Sequence, residues 1–191
     1  HCALTGYGQE GPKSGEGGHD INYIALTGGL AASGTAQAPL AGWPPAADYT
    51  GALNSVNGIL AALIRCQRTG AGAYLDIAMA DTFMAWQSWG MTGQVQGAPM
   101  KRGHNLLNGG AACYRVYETA DGRFVTLGAL EVKFWANFCR TVDREDWIER
   151  QMETLPQTDL IDEVKALFAG HDLAHWEQVL EGVDCCYQAV L

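Results

Sequence analysis

A histidine and an aspartate, His19 and Asp48, each stand where a loop rich in glycine or proline runs into an apolar helical pattern. An imidazole and a carboxylate so placed form a candidate acid/base pair, since either can take or return a proton when positioned against a substrate. Gly17-Gly18, just ahead of the histidine, would let backbone and ligand approach closely. Asp48 is of a type favoured at a helix N-cap, where the free N–H groups could also stabilise an enolate or tetrahedral oxyanion. Each residue has a plainer reading too: a loop histidine bonded to nearby backbone, and a simple helix cap. Position alone favours the plainer reading for both, although for Asp48 the two roles are compatible.

A third carboxylate, Glu131, follows Gly128-Ala129-Leu130 and precedes the aromatic run Phe134, Trp135 and Phe138, where a first-turn glutamate is also favoured by the helix dipole. His171 and His175 have the i, i+4 spacing of two metal ligands, but no glutamate follows His171 and no third ligand is in view, so a surface pair and no metal are expected. Gly6 to Gly11 matches G-x-G-x-x-G, yet Pro12 and the glycines after it keep the chain in a loop where a nucleotide site needs a helix.

The elements that would position these groups follow from periodicity. A strand over 2–5 leads into the long glycine loop. A short helix starts at His19 and stops at Gly28-Gly29, and a longer one runs from Asp48 to Arg68 with Leu53, Val56, Leu60 and Leu63 as its buried stripe and Gly51, Ala52, Ser55, Gly58, Ala61 and Ala62 letting other backbone come close. A strand over 73–78 runs into a helix over 80–91, a helix-strand-helix order typical of α/β proteins. Glycines and Pro99 mark a linker over 97–112. Beyond it, Thr119-Ala120-Asp121-Gly122 predicts a hairpin, followed by helices over 131–141, 143–153, 158–169 and 172–181. The predicted domains are 1–96, a linker 97–112, and a small α+β domain 113–191.

Composition narrows the function further. A net charge of -9 over 191 residues disfavours nucleic-acid and anionic membrane partners. There is no signal-peptide pattern and no apolar run long enough to span a bilayer, so a cytoplasmic location is expected. The six cysteines lack disulfide-framework or C-x-x-C spacing and read as small buried hydrophobes. His1 at the start and an apolar end at Leu191 predict an internal piece of a longer protein.

Gly18-His19-Asp20-Ile21-Asn22-Tyr23 resembles the signature of the family III CoA-transferase (CaiB/BaiF) superfamily, and within it the α-methylacyl-CoA racemase branch. The resemblance extends through the Asp48 junction, Arg68-Thr69-Gly70, Arg102-Gly103-His104-Asn105, Thr119-Ala120-Asp121-Gly122-Arg123 and Gly128-Ala129-Leu130-Glu131, in order. It implies an enzyme acting on acyl-CoA thioesters, in which His19 and Asp48 face opposite sides of the α-carbon and exchange its proton through an enolate. It also implies that Glu131 supports the histidine across a dimer interface, that Gly18, Asp20 and Tyr23 line the substrate, and that no metal or organic cofactor is needed, coenzyme A being part of the substrate. The implied architecture is an interlocked homodimer, with residues 1–96 the C-terminal part of a Rossmann-like large domain. Pro44-Pro45-Ala46-Ala47, Asn108-Gly109-Gly110-Ala111 and Val132-Lys133 depart from the family pattern. Two alternatives stand beside racemisation: CoA transfer through an acylated Asp48, and a truncated remnant that dimerises without catalysis.

Overall fold

The computed structural model describes residues 1–191, which divide into two compact units, His1–Met100 and Lys101–Leu191.

In the first unit, strands β1 (Cys2–Thr5) and β2 (Leu75–Ala78) pair in parallel, with Cys2 opposite Leu75 and Thr5 opposite Ala78. Parallel neighbours need a long crossover. Here it contains α1 (Asp20–Leu26), α2 (Gly29–Ala32) and α3 (Ala46–Thr69). Helix α3 ends at Gly70, whose positive φ of 71° lets its N–H return to the Cys66 carbonyl at 2.8 Å. After β2 come α4 (Met79–Trp86) and α5 (Ser88–Val95), which meet at Gln87 where the sequence predicted one helix over 80–91. Helix α2 was also not expected. Gly28-Gly29 does stop α1, but Gly28 adopts a φ of 86° and restarts the chain, and a Cβ on Gly29 would come within 2.6 Å of the Phe83 ring.

The close approach expected at Gly51 and Gly58 of α3 is present, but the apolar stripe expected to be buried is not. Leu53, Val56, Leu60 and Leu63 are about half exposed, while Ala47, Thr50 and Gly51 are buried. The reason is steric: a Cβ on Gly51 would lie 2.6 Å from Met79 Cγ, and one on Gly58 would lie 3.3 Å from Leu75 Cδ1. The small-residue face therefore lies against the sheet and α4, and no element of the unit covers the apolar stripe. The core is correspondingly small, formed by Tyr23, Ile24, Ala47, Ala80 and Phe83 with Tyr7, Leu30, Ala46 and Met79 around them.

The second unit is built on an antiparallel sheet of β3 (Tyr114–Glu118), β4 (Phe124–Gly128) and β5 (Tyr187–Ala189), in that order. The predicted hairpin forms: Glu118 pairs with Phe124, and Gly122 takes a φ of 74° in the turn. The three-residue β5 is too short to show a period of two in the sequence. Helices α6 (Val132–Thr141), α7 (Thr158–Phe168) and α8 (Leu173–Val179) follow expectation. The helix predicted over 143–153 is replaced by two 3-10 turns, Glu145–Trp147 and Glu149–Met152. There Arg144, Trp147 and Arg150 all donate to the Glu163 carboxylate of α7, at 2.7 to 2.9 Å, and the bonds from Arg150, then Trp147 and Arg144, hold that carboxyl down at about 2. Tying three side chains of this stretch to one acceptor favours turns over a continuous helix. Trp135, Phe138, Trp147, Leu160, Val164 and Phe168 are fully buried beneath the sheet. No helix of the chain is long and apolar enough to cross a membrane.

Candidate active site

The loop before His19 rests on tyrosines. Tyr23, almost fully buried, donates from its hydroxyl to the Gly18 carbonyl at 2.5 Å and packs edge-on against Tyr7. A Cβ on Gly18 would lie 2.8 Å from the Tyr7 hydroxyl. Glycine at 18 therefore makes room for these tyrosines, while Gly17 has open space where a Cβ would stand. Burial pushes the Tyr23 phenol upward, and the charges of Tyr7, Asp48 and Asp20 add to the rise, which places both carboxylates within electrostatic reach of the ring that props the His19 loop.

His19 is the N-cap residue of α1, with an extended φ of -130°. Its backbone N–H donates to Asn22 Oδ1 at 3.0 Å, while the Asn22 N–H returns to the His19 carbonyl at 2.8 Å. The first turn of α1 is thus closed by Asn22, and the imidazole is left exposed at the junction.

Asp48 is not the cap of α3. Pro45 occupies that position, and Asp48 lies in the first turn with its side chain exposed. The capping carboxylate comes from another helix. Asp20 Oδ1 accepts the N–H of Ala47 at 2.6 Å and that of Asp48 at 3.2 Å, so the residue next to His19 holds the turn that carries Asp48. These two N–H groups are consequently committed to Asp20, which removes them from the oxyanion role expected of them. The signal for this clamp was weak, because an aspartate 28 residues upstream of Asp48 looks in sequence like a first-turn residue of its own helix.

Glu131 is the N-cap of α6, and its carbonyl accepts from Phe134 N at 3.0 Å and Trp135 N at 3.2 Å. Its carboxylate makes no capping bond and is exposed, so the helix does not consume it. It belongs to the second unit, whereas His19 and Asp48 belong to the first. His171 and His175 stack with centroids 3.8 Å apart and planes 17° from parallel, an arrangement that does not converge their nitrogens on one ion. No group of three or more His, Cys, Asp or Glu side chains is placed to hold a metal.

The arrangement in the first unit therefore brings an exposed imidazole and an exposed carboxylate to two helix starts tied together by one intervening aspartate. Such a pair can deliver and accept a proton across a ligand. An alpha-methylacyl-CoA racemase from Mus musculus is 34% identical over 198 residues, covering all of this chain and 51% of its own length. A succinyl-CoA:glutarate CoA-transferase from the same species is 24% identical over 189 residues, covering 95% of this chain and 43% of its own. The chain spans about half the length of the curated relatives it matches. The crystal structure of a CAIB/BAIF family protein from Brucella suis superposes with a TM-score of 0.72 at 21% identity, over 95% of this chain and 50% of that one, and shows the same fold. The model of CoA-transferase family III matches residues 1–191 throughout, and the chain belongs to that family.

Proposed function

We propose that the chain is part of an enzyme that racemises or epimerises 2-methylacyl-CoA thioesters by two-base proton transfer at the α-carbon. His19 and Asp48 lie on opposite sides of that carbon: one removes the proton, the thioester carbonyl takes up the charge as an enolate, and the other returns a proton to the opposite face. The observation that carries this reading is the Asp20 clamp, which joins the His19 junction to the Asp48 turn through two hydrogen bonds to one oxygen. Covalent CoA transfer would need only the carboxylate. A fixed relation between imidazole and carboxylate is a requirement of proton exchange.

Within this reading, β1 and β2 belong to a Rossmann-like large domain that residues 1–96 complete in part, and the small domain, 113–191, supplies Glu131 to the histidine of a partner in an interlocked homodimer. Gly18, held by Tyr23, offers backbone to the acyl-CoA, while Asp20 and Tyr23 serve it by fixing that wall. The reaction needs no cofactor beyond the coenzyme A of the substrate and takes place in the cytoplasm.

The test is isotope exchange. Full-length protein given a 2-methylacyl-CoA in heavy water is expected to take up deuterium at the α-carbon without an acceptor acid. His19→Ala is expected to lower that rate by roughly 10²–10⁴, the usual contribution of a positioned acid or base. Transfer of CoA to an added carboxylate with no α-exchange would favour the transferase reading. Absence of both activities would favour a non-catalytic remnant.

A further inference from the structure

Glu131 is delivered by a short segment, Gly128-Ala129-Leu130, whose backbone is held from inside the protein by one glutamine that a second glutamine seats. Gln151 is 8% exposed, and its Nε2 donates to the carbonyls of Ala129 and Leu130, both at 3.0 Å. These are the two carbonyls immediately before Glu131. On the other side of the segment, the Ala129 N–H donates to the Cys113 carbonyl at 2.8 Å. Gln151 is held in turn by Gln157, which is 3% exposed: Gln157 Nε2 donates to the Gln151 carbonyl at 2.8 Å and to the Glu153 carbonyl at 3.2 Å, while Oε1 accepts the Ala112 N–H at 3.0 Å. The Gln157 N–H also reaches the Gly110 carbonyl at 2.9 Å. One chain of hydrogen bonds thus joins residues 110–112, both glutamines and the lead-in to Glu131.

We infer that Gln151, seated by Gln157, is a positioning residue that sets where the Glu131 carboxylate is presented; this rests on the role given to Glu131 above. A purely packing role fits the site poorly. Gln151 Oε1 is buried with no nitrogen or oxygen donor bonded to it, and the Cys113 thiol that interacts with this side chain is only a weak donor. An unpaired buried carbonyl costs about 1–3 kcal/mol, which an apolar side chain of the same length would avoid. What the apolar residue would lack is the amide that donates to the Ala129 and Leu130 carbonyls. Glu131 itself has an extended backbone, φ -76° and ψ 139°, before the chain turns into α6, so the direction of its side chain follows from the two residues that Gln151 grips.

The experiment is a double-mutant cycle on the full-length protein, read by α-deuterium exchange. Gln151→Met alone is expected to lower kcat by about 10- to 100-fold with little change in KM, the cost of misplacing a catalytic group by roughly an ångström. Gln157→Met is expected to act in the same direction with a smaller effect. In a Glu131→Ala background neither change is expected to lower the rate further, because the group they position is gone. Losses that add fully to that of Glu131→Ala, or failure of both variants to fold, would make the glutamines ordinary parts of the core and overturn the inference. Full exchange by Glu131→Ala alone would overturn the role of Glu131 itself, and is told apart from the first outcome by that single variant.

Discussion

The two units solve the problem of burial differently. The second buries Trp135, Phe138, Trp147 and Phe168 in one aromatic core, with Trp135 Nε1 bonded to the Trp147 carbonyl at 2.9 Å and the Phe138 and Phe168 rings stacked 5.8 Å apart. The first has a core of five buried residues and leaves Tyr49, Leu53, Val56, Leu60 and Leu63 of its longest helix about half exposed. The second kind of core buries its largest aromatic side chains within the unit, although Val116, Phe124 and Val132 stay exposed. In the first, what is well determined is local: the tyrosine-propped loop and the Asp20 clamp, which are polar devices around the two candidate bases.

The contrast can be broken at its strongest point by Trp135→Ala. Removing a fully buried indole should cost about 3–5 kcal/mol, and thermal or denaturant unfolding of the 191-residue chain would show it as loss of the second unit. A cost below 1 kcal/mol would mean that this core is not what holds the unit. A smaller effect is expected at the clamp. Asp20→Ala should lower stability by about 0.5–2 kcal/mol, the range for losing a helix cap, whereas Asp20→Asn, which keeps an acceptor oxygen, should recover most of it. Equal losses for both variants would show that charge, and not the two N–H bonds, is what Asp20 contributes. Smallest of all is Leu60→Lys on the open face of α3, which should change the stability of the chain by no more than about 0.5 kcal/mol, as for other surface positions. A loss of several times that in the same unfolding measurement would mean the stripe is covered after all, and the difference between the units would fall away.

The sequence reached the hairpin, helices α6, α7 and α8 and the loop-to-helix junction at His19 because each rests on a local signal: Asp121-Gly122 in the turn, apolar spacing in α7, glycines before the histidine. On α3 it found the close approach at Gly51 and Gly58 but wrongly expected the apolar stripe to be buried as well. Periodicity marks which face is apolar, but which face packs within a unit depends on how closely a sheet can approach, and that is decided by Gly51 and Gly58 against Met79 and Leu75. It also took Asp48 for a cap, since an aspartate at a helix start is favoured there whatever its partner; the true capping group is remote in sequence. Gln151 and Gln157 carried no signal at all, because a glutamine in a polar stretch looks like surface until its burial is known. The Asn22 bond to His19 was the nearest miss, as a polar residue three positions after an N-cap is a recognisable pattern.

Helix α3 has 24 residues and is therefore about 36 Å long at 1.5 Å per residue. The Asp20 oxygen holds only its first turn, and Gly51 and Gly58 seat the stretch that follows against Met79 and Leu75. The candidate carboxylate is thus borne on the end of the helix fixed by polar bonds, while the open apolar stripe runs along the opposite face and leaves that end to the histidine.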